Sequence, residues 1–538
     1  MMHEERFSVY PEGMSHDLTI PDLSLSDMLK QSAEIYGSHP AVSFYGQKMS
    51  YSELKDAASA FAGALAKSGL AKGGRAAVML PNCPQYAVAY YGILQAGGIV
   101  TQMNPMLVER EIQHILNDSE AEVLVVYDAL YEKVQAVRAE TSLKTVITVS
   151  LGGASSEPAD SLSFENFLRS GAGIYHEAVI DPANDIAVLQ YTGGTTGLSK
   201  GAMLTHRNLV ANTIQSYEFF KTEVRLGEEK CLTVIPLFHV FGMTSCMNLS
   251  IYCGNCMIML PRFDLNEVLE TIKHEQPTIF PGVPTMYVAI TNHPEAENYG
   301  LDCMKICNSG SAPMPVELLK EFERKTGAKI LEGYGLSEAS PTTHCNPAFA
   351  DRKPGSVGLG FPQTACKIVD VATGLEELAP GELGEIIIYG PQVMKGYWNM
   401  PEETAHALRD GWLFTGDIGM KDQDGYLYIT DRKKDMIIAS GYNIYPRDIE
   451  EILYEHPAVR EAVVIGIPDP YRGESVKAFA VLKTGKDISA EELIEYCRAN
   501  MSSYKVPREI EFREELPKTN VGKILRRALR EEAAQKHV

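Results

Sequence analysis

Tyr191-Thr192-Gly193-Gly194-Thr195-Thr196-Gly197-Leu198-Ser199-Lys200-Gly201 is the stretch on which the reading of this chain turns. It follows an apolar run, Ile186-Ala187-Val188-Leu189-Gln190, that predicts a buried strand. Glycines let a backbone turn tightly and approach a ligand closely. The free N–H groups of such a turn form an anion-binding concavity, to which threonine and serine hydroxyls add donors. A phosphate-bearing ligand is therefore expected. The Walker spacing, Gly-x-x-x-x-Gly-Lys-Ser/Thr, does not occur here, because Lys200 stands between Ser199 and Gly201. This is a phosphate loop of another kind.

Around it, the chain reads as α/β. At 538 residues it is too long for one core, which predicts two or more domains. Ser50 and Glu53 form a capping-box pair ahead of Leu54, Ala58, Phe61 and Leu65, and the strand Ala76 to Leu80 follows. A second alternating block, from about 180 to 345, holds strands at 232–235 and 278–280 and a helix capped by Asp264. From about 355 to 430 short strands and Gly/Asp turns predict a small β-rich unit. A compact α+β block follows, with helices at 448–456 and 490–501, strands at 462–467 and 476–482, and a basic terminal helix from Lys523.

The net charge of −21 opposes a general nucleic-acid binder and requires local cations for any anionic ligand. The N-terminus has no signal-peptide pattern, and the apolar run from Cys246 to Leu260 is short and broken by Asn248, Gly254 and Asn255. A cytoplasmic location is expected. The ten cysteines suit reduced, packed thiols, since Cys253 and Cys256 have no matching ribbon pattern for a metal.

Four more segments carry chemistry. Glu332-Gly333-Tyr334-Gly335-Leu336-Ser337-Glu338 offers an aromatic face, a hydroxyl and a carboxylate. The run from Trp412 ends on Asp417, a candidate acceptor for a ribose diol, and Arg432 adds a fixed cation. Pro517-Lys518-Thr519-Asn520-Val521-Gly522-Lys523 supplies a lysine on a Gly-bearing loop. With Pro236-Leu237-Phe238-His239-Val240-Phe241-Gly242, these segments resemble the adenylate-forming superfamily, most closely its fatty acyl-CoA synthetases. The resemblance runs from about residue 20 to 530.

That resemblance implies a reaction in two steps. A carboxylate attacks the α-phosphate of ATP to give acyl-AMP and pyrophosphate, and the thiol of coenzyme A then displaces AMP. It implies that Thr192, Gly193, Gly194, Thr195, Thr196, Gly197 and Lys200 hold the β- and γ-phosphates. Tyr334 and Gly335 would meet one face of adenine and Gly310-Ser311-Ala312 the other, with Ser337 where many relatives have threonine. Asp417, helped by Arg432, would take the ribose hydroxyls, Glu338 would ligate Mg²⁺, and Lys523 would bridge carboxylate and α-phosphate. The implied division is an N-terminal domain over 1–431, a hinge at 432–435 that includes Lys434, and a mobile C-terminal domain over 436–538. Gly441 would line the passage for coenzyme A.

The acid is read from His239. Amino-acid-activating relatives carry an aspartate after the aromatic residue near this point, and a buried ammonium without such a partner is costly. A histidine there favours another acid and sits at the mouth of the acyl pocket. Val240, Phe241, Pro281, Gly282 and Val283 offer an apolar lining suited to an alkyl chain, medium or long. An aryl-acid or 4-coumarate-type CoA ligase is the alternative. Arg526, Arg527 and Arg530 read as a solvated face with at most peripheral membrane contact. The resemblance also leaves room for a homodimer.

Overall fold

The computed structural model describes residues 10, 14, 17–152, 158, 160–174, 176–192, 199–312, 314–439, 442–469, 472–519 and 524–536. Among the described residues the strands form four sheets. The first runs Gly396–Tyr397, Lys200–Thr205, Ile186–Thr192, Ile99–Gln102, Arg75–Met79, Val123–Tyr127, Thr145–Val149 and Leu162–Ser163. It is parallel from Ile186–Thr192 onward, whereas Lys200–Thr205 turns back antiparallel on Ile186–Thr192 and Gly396–Tyr397 extends that edge.

The second sheet has a parallel centre of Ile330–Gly335, Ile306–Ser309, Ile279–Gly282, Lys230–Thr233, Cys256–Met259 and Pro40–Phe44. Antiparallel strands close both of its edges. Helices such as Leu265–Glu275 bury one apolar face, whereas Pro84–Gln95 is buried on nearly every side. Tyr51–Lys67 starts at Ser50 with the expected capping box, and Leu265–Glu275 at Asp264, whose side chain accepts from the Glu267 N–H. A cap of this kind contributes about 1 kcal/mol.

The third sheet is the expected β-rich unit, wholly antiparallel, with Gly384–Tyr389 and Trp412–Lys421 at its centre and Leu427–Arg432 paired to the latter. Its Ile386, Ile388, Leu413 and Leu427 join the core of the two large sheets. The fourth sheet, built on Val459–Asp469 and Gly473–Leu482, has cores of its own around Ile437, Ile449, Val464 and Leu493 and around Val463, Phe479 and Leu529. The terminal helix begins at Arg526, three residues later than its composition predicts.

Two of its arginines, Arg526 and Arg530, do not belong to a solvated face, whereas Arg527 does. Arg526 pairs with Glu450 at 2.7 Å and lies 3.6 Å from Asp435 and 3.8 Å from Asp431, while Arg530 binds Asp435 at 2.9 Å. The acids that neutralise them come from far upstream, so local composition misreads them. Only Arg527 pairs within its own helix, to Glu531.

Candidate active site

The second sheet delivers its loops at one edge. Pro236 to Phe241, Val283, Gly310 to Ala312 and the Leu336 turn each follow the C-terminal end of a parallel strand. This is the side on which open α/β sheets bind ligands. Thr192 likewise ends a strand of the first sheet, and Lys200 opens the antiparallel strand that returns from it.

Asp417 is the best-defined polar centre. It lies opposite Arg432 across two antiparallel strands, and Arg432 Nε approaches its Oδ1 at 2.7 Å. From the other large sheet, Tyr334 donates its hydroxyl to Asp417 Oδ2 at 2.5 Å. Burial first, and then the Asp417 charge, push the Tyr334 phenol far above its ordinary range, so it stays a donor. Gly335, next in the strand, has no room for a side chain: a Cβ would stand 2.4 Å from the Pro341 carbonyl oxygen.

Glu338 sits half-buried in the turn after Tyr334, and its Oε1 accepts from the Tyr397 hydroxyl at 2.7 Å. Tyr397 lies beside Ala202 in the strand added to the hairpin of Ile186–Thr192 and Lys200–Thr205. Lys200 rests with its ammonium 5.4 Å from the Tyr397 ring centre and forms an ion pair with Glu403. Ser337, in the same turn as Glu338, is half-buried. Lys200, Tyr397 and Glu338 thus form one polar strip. Tyr397 and Glu403 carry no signal in the sequence, since their partners lie far away along the chain.

The apolar side adjoins this centre. Val240, Pro281, Gly282 and Val283 are buried, and a Cβ on Gly310 would lie 3.2 Å from the Phe241 ring. Phe241 and Gly310 therefore share a border between the apolar wall and the Gly310-Ser311-Ala312 segment, where Ser311 holds a left-handed φ of +67°. His239 Nδ1 accepts from the Phe241 N–H at 3.3 Å, which leaves the proton of the neutral ring on Nε2. Its segment is bolted to the first sheet: Gln102 donates to the Leu237 carbonyl and Gln190 to that of Phe238. Asn82 bridges Ile235 and Leu237. Just beyond, Gly242–Asn248 is wound as a π-helix, with the Leu249 N–H reaching Thr244, a distortion frequent at functional sites.

Gly193, Gly194, Thr195, Thr196, Gly197, Gly441 and Lys523 lie outside the described residues. Lys434 is exposed in the turn that follows Arg432, next to Asp435 and its arginines. All ten cysteines are free, and no cluster of metal-ligating side chains occurs among the described residues.

Glu332, in the same strand as Tyr334, yields a pH prediction. It is buried, and burial pushes its carboxyl from 4.5 up to about 7, although the Gly355 N–H and Arg447 favour the charged form. The folded chain therefore holds this proton more tightly than the unfolded one, and its contribution is lost as pH rises from about 4.5 to 7. Glu332→Gln fixes the neutral form. It is expected to stabilise the fold by about 1–3 kcal/mol at pH 8, where wild type carries the buried charge, with little change at pH 5. Melting curves at both values check this, and an equal shift at the two would refute it.

Charged groups gathered at strand ends beside an apolar wall suit an enzyme that works on a nucleotide and an apolar group together. The chain belongs to the AMP-binding enzyme family, whose model matches residues 29–398, with the AMP-binding enzyme C-terminal domain matching 448–523. It is 48% identical to a long-chain-fatty-acid–CoA ligase of Bacillus subtilis (strain 168) over 98% of both chains. It is 39% identical to the protein of that name in Salmonella typhimurium (strain LT2), again over 98% of both. Among solved structures, ATP-bound MatB from Rhodopseudomonas palustris superposes with a TM-score of 0.85 at 31% identity, covering 95% of this chain and 99% of that one. Among the described residues no helix is long and apolar enough to cross a membrane.

Proposed function

We propose that this protein is an AMP-forming acid–thiol ligase that activates a fatty acid of long or medium chain with ATP and passes the acyl group to coenzyme A. The observation that carries the reading is the approach of Phe241, from the apolar wall, to Gly310, which follows the strand paired beside the one that brings Tyr334 to Asp417. Whole-length likeness to curated fatty acid ligases supports it.

In the first step a carboxylate oxygen forms a bond to the α-phosphorus, and the bond to the β-phosphate oxygen breaks, releasing pyrophosphate. In the second, the thiol sulfur bonds to the acyl carbon, the bond to the AMP oxygen breaks, and the thiol proton is lost. Little covalent chemistry falls to the protein, so positioning and charge stabilisation do the work. Asp417 takes the ribose hydroxyls, Tyr334 and the Gly310-Ser311-Ala312 segment enclose the base, and Lys200 meets the terminal phosphates. Reaching them requires Lys200 to leave Glu403. Glu338 fits Mg²⁺, because that ion is held mainly by phosphate oxygens and needs only one or two protein carboxylates. The ion would neutralise phosphate charge. His239 lies beside the acyl carboxylate. The division of the chain at 432–435, with Lys434 as pivot and Gly441 lining the thiol passage, belongs to the same proposal.

The test supplies ATP, coenzyme A and one of palmitate, octanoate or 4-coumarate. Equal yields of AMP, pyrophosphate and thioester are expected with the alkyl acids. Turnover of 4-coumarate alone would replace this reading with the aryl-acid one.

A further inference from the structure

The helix Glu109–Ser119 is not part of the site just described, yet it touches both ends of the phosphate stretch. His114 and Asp118 lie four residues apart, and therefore on one helical face. His114 Nε2 lies 3.2 Å from the carbonyl oxygen of Ser199, the residue before Lys200. A carbonyl can only accept, so Nε2 carries the proton. At the other end, Tyr191, the residue before Thr192, donates its hydroxyl to Asp118 Oδ2 at 2.5 Å. The Asp118 carbonyl accepts from Trp398 Nε1 at 3.0 Å, and the Trp398 N–H donates to the Gly201 carbonyl at 2.8 Å.

The helix is itself held at this end. Arg75 Nε donates to the Ser119 carbonyl at 2.6 Å, and its guanidinium lies 5.8 Å from the Trp398 ring centre. These contacts satisfy carbonyls that a helix terminus leaves open. The helix thereby becomes a fixed post. The side chains of His114 and Asp118 bond to Ser199 and Tyr191, the residues that flank 192–198.

We propose that His114 and Asp118 are positioning residues for the triphosphate of ATP: they fix both ends of the glycine-rich stretch and so place Thr192 and Lys200 before the nucleotide arrives. This rests on the reading that the stretch receives the β- and γ-phosphates. Holding Tyr191 and Ser199 beforehand lowers the conformational cost of placing Thr192 and Lys200 at the binding step. Neither residue touches substrate.

The full-length protein is assayed with ATP, fatty acid and coenzyme A varied in turn, and separately for thioester formation from supplied acyl-AMP. His114→Ala and Asp118→Ala are each expected to raise KM for ATP about five- to tenfold, the scale of one lost hydrogen bond. KM for the fatty acid and the rate from acyl-AMP stay within about twofold, which a damaged fold would not allow. His114→Gln, whose amide nitrogen can donate to the same carbonyl, restores KM for ATP. Unchanged KM for ATP in both alanine variants overturns the proposal, as does equal loss in both half-reactions or failure of glutamine to rescue. Lys200→Ala run in parallel separates the two levels. If it raises KM for ATP while the helix variants do not, only this proposal fails; if it leaves KM for ATP unchanged, the phosphate reading falls and takes this one with it.

Discussion

Asp417→Ala is expected to lower kcat/KM for ATP by about 10²- to 10⁴-fold. Hydrogen bonds to a charged group contribute about 1.5–3 kcal/mol each, and a carboxylate that takes two ribose hydroxyls supplies two of them. Both oxygens already have partners within the protein, Oδ2 the Tyr334 hydroxyl and Oδ1 Arg432. On the proposed reading ribose meets a carboxylate whose position its protein partners fix, and alanine loses both the acceptor and the anchor. Arg432 keeps about two fifths of its side-chain exposure, so its lost counter-charge is partly screened by water. Asp417→Asn keeps the shape without the charge and should fall between alanine and wild type. Kinetics with ATP varied, together with a melting curve, check this. A drop in Tm with KM for ATP unchanged would reduce Asp417 to a structural residue.

Local structure was legible wherever its cause was local. The caps at Ser50 and Asp264, the run that became Ile186–Thr192 and the antiparallel unit after 355 follow from periodicity and turn chemistry within a few residues. The motif residues Tyr334, Asp417 and Arg432 were also legible, and the fold brings these three into contact. What the sequence hid are the partners. Tyr397 and Glu403 meet Glu338 and Lys200 only because the two-residue strand Gly396–Tyr397 joins Lys200–Thr205. Asn82, Gln102 and Gln190 look like ordinary polar residues until their amides are seen holding the segment that carries His239. Arg526 shows the same blindness in reverse. Its basic neighbourhood suggested solvent, whereas Glu450, Asp431 and Asp435 neutralise it from 76 or more positions away. Long-range pairing has no short-range signature, and the supporting layer of the site is made of it.

Lys523→Ala is expected to cut adenylate formation by about 10³-fold while thioester formation from supplied acyl-AMP changes by less than about threefold. The asymmetry follows from where charge develops. When a carboxylate approaches the α-phosphate, two anionic groups meet, and a cation shared between them is worth more at that moment than in the bound reactants. Thiol attack on the finished adenylate brings no second anion to the phosphate, so the same cation has little to add. Lys523 itself lies outside the described residues, and the residues on either side of 520–523 are described. Lys518 and Ile524 form an antiparallel bridge, and the Leu525 N–H donates to the Pro517 carbonyl at 2.8 Å. Directly after them, Arg526 reaches Asp431, the residue before Arg432, and Asp435. The residues that flank 520–523 are thus tied to the proposed hinge, and on the two-conformation proposal a rotation there would carry Lys523 away once the adenylate is made. Pyrophosphate release from ATP and fatty acid measures the first step, and supplied acyl-AMP with coenzyme A isolates the second. Equal loss in both would mean that the lysine serves one arrangement of the site, and the two-conformation proposal would fall.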